Sequence, residues 1–173
     1  MAKVLVAYGS KRGGTQGIAI ILGESLRATG LTVDVRACDQ VHDVSAYDAV
    51  VVGGSIYAGH WHRAARHFVK EYRNDLLERP VWLFSSGPLD DSADDGTLAP
   101  EKQVAGYINR VDGRGHMTFG GYLSEDAKGV IAKRMSKSMA GDWRNKDQIQ
   151  AWGNQIARDL ATIDVTHRDL SVH

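Results

Sequence analysis

Glycine and hydroxyl residues follow directly after three apolar stretches of the sequence. The first group is Gly9-Ser10-Lys11-Arg12-Gly13-Gly14-Thr15, the second runs from Gly53 to Gly59, and the third is Ser85-Ser86-Gly87-Pro88. Glycines let a ligand approach the backbone closely, and hydroxyl groups donate hydrogen bonds to it. Residues of these types at the ends of strands favour the binding of a phosphate group and of a flat ring attached to it.

The first of these loops, Gly9 to Thr15, joins a predicted strand to a predicted helix. The start of a helix presents unpaired backbone N–H groups and the positive end of the helix dipole, and both attract phosphate. Ser10 and Thr15 add hydroxyl donors, while Lys11 and Arg12 either add charge or remain solvated. The alternative interpretation is an ordinary flexible turn between a strand and a helix.

The spacing of the glycines in this loop excludes three other phosphate loops. Gly9 and Gly14 are separated as in a P-loop, but Thr15-Gln16 follows where that motif requires Lys and then Ser or Thr. The dinucleotide pattern G-x-G-x-x-G is absent, because the glycines lie at positions 9, 13 and 14. A phosphotyrosine-phosphatase loop requires a cysteine here, and the single cysteine is Cys38. The loop therefore favours a mononucleotide phosphate.

Strand and helix patterns alternate along the chain, which is typical of a parallel sheet with helices on both faces. Ligands of such sheets bind outside the carboxyl ends of the strands, so we expect the three loops to converge on one ligand. We predict five strands, over residues 4–8, 31–35, 49–52, 81–84 and 116–122, and helices that carry residues 18–26, 62–77, 101–108 and 148–163.

Composition sets the remaining limits. The 173 residues fit one domain over residues 1–173, with 43% apolar and 24% charged residues as in an ordinary globular protein. The formal net charge of zero gives no general attraction to nucleic acid, and one cysteine excludes an internal disulfide and a multi-cysteine metal site. We see no signal peptide and no run of transmembrane length, so we expect a cytoplasmic protein.

The loops resemble those of the flavodoxin superfamily. Residues 10–15 stand where that superfamily has its T/S-x-T-G-x-T phosphate loop, with Arg12 in place of a hydroxyl residue and Gly14 in place of the usual polar one. Residues 53–62, read as Gly-x-Ser-Ile-x-x-Gly-His-x-His, are more specifically similar to the menaquinone-dependent protoporphyrinogen oxidases. That similarity continues in Phe68-Val69, Lys133-Arg134-Met135, Ala140-Gly141-Asp142 and Trp152.

This resemblance implies a flavodoxin-like three-layer sandwich, with a five-stranded parallel sheet of order 2-1-3-4-5 and an inserted helical segment, 124–145, before the last helix. It also implies non-covalent FMN, oxidation of protoporphyrinogen IX, and transfer of the electrons to a quinone. By position, the phosphate is then held by Ser10, Lys11, Arg12, Gly13, Gly14 and Thr15. One side of the isoalloxazine ring is lined by Ser55, Ile56, Tyr57, Gly59 and His60, and the other by Ser86, Gly87, Pro88 and Leu89.

Several side chains around the expected flavin have two interpretations. Tyr57 and Trp61 either stack on the ring or pack within their loop. His60 is the candidate for protonating substrate or flavin, because histidine titrates near neutral pH. His62 is more simply explained by a surface or helix-start role, and His-x-His lacks a clear third ligand, so we predict no metal. The acidic loop 90–95 either is merely solvated or lowers the flavin potential.

The inserted segment carries a basic stretch without acidic residues, 127–141. Its apolar residues Ile131, Met135 and Met139 share one helical face, so it either packs on the domain or makes peripheral contact with a membrane or with substrate carboxylates. Both contacts suit a tetrapyrrole and a lipid-soluble quinone as small-molecule partners. The alternatives are a flavodoxin-type electron carrier, which is usually strongly acidic, and a related flavin- or deazaflavin-binding quinone reductase.

Overall fold

Five parallel strands form the centre of the computed structural model, which describes residues 2–10, 13–88, 90–123 and 141–170. Their order is β2-β1-β3-β5-β6, and a short strand, β4, pairs antiparallel with the end of β3. With β4 set aside, this is the predicted order 2-1-3-4-5, which the structure confirms. The strands are β1 Lys3–Gly9, β2 Thr32–Ala37, β3 Ala49–Tyr57, β4 His60–Trp61, β5 Val81–Ser86 and β6 Gly115–Phe119.

The three central strands are the most apolar segments because helices cover both of their faces. Residues 4–7, 49–52 and 81–84 are all buried, whereas β2 is partly exposed at the edge of the sheet. Continuous apolar runs of this kind are typical of parallel strands with no solvent-facing side. The helices are α1 Gly14–Ala28, α2 Arg63–Glu71, α3 Arg73–Leu77, α4 Lys102–Arg110 and α5 Lys146–Leu170.

Each face of the sheet has its own apolar core. On one face, α1 and α5 contribute residues such as Ile18, Leu22 and Ile156. On the other, α2, α3 and α4 contribute residues such as Phe68, Leu76 and Val104. The sheet therefore forms the middle layer of a three-layer sandwich.

The helix predicted over residues 62–77 is two helices. The chain leaves helical geometry at Tyr72 (φ −99°, ψ 18°), and α3 begins at the next residue. The Tyr72 hydroxyl donates to the carbonyl of Val41 at 3.0 Å, so the break brings this side chain to the loop that follows β2. A single helical periodicity across both segments hid the break, because Phe68, Val69 and Leu76 all face the same core.

The strand predicted over residues 116–122 is also divided. β6 ends at Phe119, and Tyr122–Leu123 forms a separate strand, β7, that pairs antiparallel with β8, Gly141–Asp142. Gly120 lies between β6 and β7, and a Cβ at this position would collide with the backbone carbonyl of Trp143. Of the insert predicted as helical over 124–145, the part from 141 onward is β8 and the non-helical connection that leads to α5. The rest of the insert, with most of the basic stretch 127–141, lies outside the described residues. None of the described helices is long and apolar enough to span a membrane.

Candidate functional site

The three predicted loops meet at the carboxyl edge of the sheet. Thr15 Oγ1, in the first turn of α1, lies 2.7 Å from Ser86 Oγ at the end of β5, and both residues are buried. The second and third loops touch where a Cβ on Gly87 would lie 3.1 Å from Ile56 Cβ. The predicted convergence of the three loops is therefore present in the fold.

The described part of the phosphate loop leaves the start of α1 uncapped. Gly13 is the residue before α1 and has φ +83°, a conformation that glycine adopts without strain. Its N–H donates to Ser10 Oγ at 3.0 Å, and no described atom lies within 4 Å of the position a Cβ would take. Because no described side chain caps α1, the N–H groups of its first turn remain for a phosphate. Lys11 and Arg12 lie outside the described residues.

The second loop is a tight hairpin that the sequence analysis missed. β3 continues to Tyr57, which pairs with His60 across a two-residue turn, Ala58-Gly59, with φ values of +50° and +75°. Two residues with positive φ match the hairpin turn that follows the twist of β-strands. Tyr57 is 59% exposed at this turn, where its ring is accessible to a flat ligand.

Trp61 is a core residue, which rules out the stacking role considered for it. Its side chain is fully buried, and its indole N–H donates to the carbonyl of Phe84 at 3.3 Å. The ring lies over Gly54, where a Cβ would be 2.6 Å from the indole nitrogen. Gly53 likewise accommodates the ring of Phe84. These two glycines therefore lie inside β3 and admit aromatic rings on its two faces, rather than forming a ligand loop.

His60 is held at the outer side of the hairpin by Gln103 of α4, a residue that sequence reasoning did not single out. Gln103 Oε1 accepts from the backbone N–H of Trp61 at 2.9 Å, which orients the amide so that Nε2 lies 3.3 Å from His60 Nδ1. An amide nitrogen only donates, so Nδ1 accepts, and neutral His60 carries its proton on Nε2. Nothing local in the sequence links residues 60 and 103.

His62 is the residue immediately before α2 and caps that helix, as its simpler interpretation predicts. Its Nδ1 accepts from the backbone N–H of Ala64 at 3.1 Å, which is a helix-capping hydrogen bond. The same nitrogen lies 2.8 Å from the position of a Cβ on Gly9. The ring of His62 is thereby packed against the end of β1, immediately before the phosphate loop.

The third loop is fixed by backbone hydrogen bonds to the last residue of β6 and to the chain that follows it. The N–H of Gly87 donates to Phe119 at 3.3 Å, and Pro88 accepts from the N–H of Gly121 at 2.7 Å. Leu89 lies outside the described residues. Beyond it, Asp90 and Asp95 accept hydrogen bonds from Ser92 and Thr97, and these bonds lower the pKa of both exposed carboxyls. The acidic loop thus has the local turn chemistry of a solvated segment.

The residues present fit a flavin mononucleotide. An uncapped helix start with an open, glycine-formed loop suits its phosphate, and the hairpin and the third loop meet at the same edge of the sheet. Ser55, Ile56, Tyr57, Gly59 and His60 all belong to or border the hairpin, and Ser86, Gly87 and Pro88 belong to the third loop. Which of these side chains contact the cofactor stays a prediction.

Comparisons with known proteins identify the family of the chain. Residues 5–148 match the family described as flavodoxin domain. Protoporphyrinogen IX dehydrogenase [quinone] of Escherichia coli K12 is 33% identical over 85 residues, which are 48% of this chain and 47% of that protein, so the match spans about half the length of this curated relative.

Solved structures show the same fold. Flavodoxin 2 from Bacillus cereus has a TM-score of 0.61 and 18% identity, with 91% of this chain and 99% of that chain covered. Rubredoxin oxygen:oxidoreductase from Desulfovibrio gigas has a TM-score of 0.63 and 17% identity, with 92% of this chain and 36% of that chain covered. The family match supports FMN as the cofactor, and the chain belongs to the flavodoxin domain family.

Proposed function

We propose that this chain is an FMN-dependent oxidoreductase that removes hydrogen from a tetrapyrrole of the protoporphyrinogen type and passes the electrons to a quinone. The flavin part rests on one observation above all: Thr15 and Ser86 join the phosphate loop to the third loop through buried hydroxyls 2.7 Å apart. The substrate class is supported by the 33% identity to protoporphyrinogen IX dehydrogenase over 85 residues.

Each part of the site has a physical task in this proposal. The first turn of α1, with Ser10 and Thr15, would hold the phosphate, and the hairpin and third loop would hold the ring. The bound flavin would supply the capacity to accept and release electrons. Tyr57 offers an exposed aromatic face to a planar substrate, and the Nε2–H of His60 is a proton donor at the same hairpin.

An electron carrier is the second candidate, and one observation favours it. The flavodoxin 2 comparison covers 99% of that chain, so a whole flavodoxin has this arrangement of strands and helices. A related quinone reductase that uses a flavin or a deazaflavin would have the same fold. Net charge favours the enzyme, because carriers are commonly strongly acidic for docking and the formal charge of this chain is zero.

The test is an anaerobic reaction of FMN-loaded protein with protoporphyrinogen IX, followed by menaquinone. The flavoprotein is used in excess, because oxidation to the porphyrin removes several electron pairs and each flavin accepts only one. We then expect the visible flavin absorbance to fall as porphyrin fluorescence appears, and to return when the quinone is added. Absorbance that does not change with protoporphyrinogen IX would contradict the tetrapyrrole assignment. If such protein is instead reduced by a flavodoxin reductase, the carrier is supported.

The phosphate assignment has its own test in Gly13→Asp, with Gly13→Asn as the control of equal size. Both side chains are among those that tolerate positive φ and that favour the position before a helix, so both variants should fold. Only aspartate places a negative charge where the phosphate is expected. We expect the Asp variant to lose FMN affinity and the Asn variant to keep most of it. Equal affinities would place the phosphate elsewhere.

Cytoplasmic location and peripheral membrane contact through 127–141 stay predictions. Sedimentation of the protein with vesicles that contain anionic lipid, compared with neutral vesicles, tests the contact.

A further inference from the structure

Arg144, in the short connection between β8 and α5, is fixed from several sides beside the phosphate loop. Its Nε and Nη2 donate to the two carboxylate oxygens of Asp142 at 2.9 and 2.7 Å. Its guanidinium lies 4.8 Å from the centre of the Tyr122 ring, and its Nη1 donates to the carbonyl of Gly14 in a long, 3.4 Å hydrogen bond. A paired and stacked arginine of this kind has little freedom to move.

Missing side chains on α1 make room for this arrangement. Gly14 and Gly17 lie three residues apart on one face of the first turn. A Cβ at Gly14 would lie 3.1 Å from Tyr122 Cβ, and a Cβ at Gly17 would collide with Arg144 Nη1. The tyrosine and the arginine therefore occupy the space along α1 that other residues would fill.

The charge on Arg144 is secured by Asp142. Hydrogen bonding between the two raises the pKa of the arginine and lowers the pKa of the carboxyl. Asp142 Oδ1 also accepts from the backbone N–H of Arg144 at 3.0 Å, which fixes the bend that directs the side chain towards α1. The side chain that contacts Gly14 is thus held in one orientation by Asp142 and is not a loosely solvated arginine.

Apart from the bond between the Thr15 and Ser86 hydroxyls, the first turn of α1 has few restraints of its own. Two consecutive glycines, Gly13 and Gly14, lead into it, no described side chain caps it, and within the described loop only Ser10 Oγ holds the N–H of Gly13. Glycines lose more conformational freedom on ordering than other residues do. An external contact that holds Gly14 in place reduces the ordering that a phosphate would otherwise have to impose.

From these contacts we infer that Arg144 is a positioning residue for the phosphate loop. It holds the carbonyl of Gly14, and with Tyr122 it fixes the first turn so that the N–H groups there are preset for a phosphate. Arg144 acts through Gly14 and not as a ligand of the reacting ring. This inference rests on the proposed binding of FMN.

The test compares FMN with riboflavin, which has the same ring and no phosphate, by quenching of flavin fluorescence. Fixing about one residue in advance corresponds to about tenfold in affinity, so Arg144→Ala should bind FMN about tenfold more weakly. Riboflavin affinity should be unchanged, and Arg144→Lys should recover part of the loss. Arg158→Ala, a surface arginine of α5 that pairs with Gln155, is the matched control and should behave as wild type.

Gly17→Ala is a second variant, which moves the Arg144 side chain without replacing it and should still fold. The added methyl group would displace Arg144 Nη1, and the higher helix propensity of alanine offsets the cost of that displacement, so the ligand-free variant should fold with a melting temperature close to that of the wild type. We expect it nevertheless to lose affinity for FMN and not for riboflavin. If this variant and Arg144→Ala both retain the wild-type preference for FMN over riboflavin, the role of Arg144 is overturned. Wild-type protein without that preference would instead overturn the phosphate site itself, and this inference with it.

Discussion

Thr15 Oγ1 and Ser86 Oγ lie 2.7 Å apart and join the first turn of α1 to the end of β5. Thr15 follows β1 and Ser86 ends β5, with β3 between these strands, so the bond spans β3. Only one of the two hydroxyls can donate to the other. If Ser86 donates, the proton of Thr15 remains available to an acceptor outside, such as a phosphate oxygen.

Removal of either hydroxyl should cost stability because its partner is left buried. For Thr15→Ala we expect the free energy of unfolding to fall by about 1–2 kcal/mol, the usual cost of a buried hydrogen-bonding group without a partner. Thr15→Ser keeps the oxygen and should lose less. Urea unfolding of Thr15→Ala, Ser86→Ala and the double variant gives the coupling, which we expect to be about 1 kcal/mol. Strictly additive single effects would show that the hydroxyls do not interact.

Gly53 should tolerate no side chain, because the Phe84 ring fills the space that a Cβ would need. In the centre of β3 the backbone cannot yield, so Gly53→Ala should lower the free energy of unfolding by about 3 kcal/mol or prevent folding. Gly106→Ala is the matched control, since no described atom lies within 4 Å of its Cβ position in α4. That variant should gain up to about 1 kcal/mol in urea unfolding. Equal effects at the two positions would contradict the packing argument.

Local sequence patterns predict the buried strands, but they do not predict which distant residues pack against a glycine. Residues 4–7, 49–52 and 81–84 are apolar because helices cover both faces of the sheet, so their pattern alone predicts buried strands and a ligand edge. The glycines at 53 and 54 have the same composition signal as a ligand loop, but they accommodate Phe84 and Trp61. Which partner fills the space beside a glycine depends on contacts 7 to 31 residues away, and no local pattern contains that information.

The same limit applies to the residues that support the site. Gln103 contacts His60 across 43 positions, and Arg144 contacts Gly14 across 130. Both are ordinary polar residues in their own segments, and only the assembled sheet brings them to the loops. The Ala58-Gly59 turn is easier to predict from the sequence, because a two-residue gap that contains glycine between strand-like residues is a hairpin signal. The alanine at its first position hid that signal.

The substitutions Ala58→Gly and Gly59→Ala should change the free energy of unfolding in opposite directions. Ala58 has φ +50°, where a Cβ is strained, so Ala58→Gly should raise the free energy of unfolding by about 0.5 kcal/mol, the relief of strain less the added chain entropy. Gly59 has φ +75° and no described atom near its Cβ position, so Gly59→Ala should cost about 1 kcal/mol through backbone strain alone. Urea unfolding measures both. Changes of the same sign would refute the positive-φ turn.

His116 is a partly buried titratable residue that the proposed chemistry does not use. It lies on β6, and its Nε2 is 3.2 Å from Ser85 Oγ. Burial lowers the pKa of its imidazole from 6.5 to about 4, because the charged form loses its hydration there. Protonation therefore favours the unfolded chain, whose histidine has the higher pKa. Stability should be complete above pH 6.5 and should fall as the pH drops from 6.5 towards 4.

Between pH 7 and pH 5 this one group should lower the free energy of unfolding by about 2 kcal/mol. The variant His116→Gln can still hydrogen-bond Ser85 but does not titrate, so the same pH change should cost it about 2 kcal/mol less. Urea unfolding of both proteins at several pH values measures the difference, and titration of the other histidines and carboxyls cancels because both proteins share it. Parallel curves for the two proteins would mean that His116 is protonated as readily in the folded state as in the unfolded chain. In that case the burial of its ring beside Ser85 would not control the stability of the sheet edge.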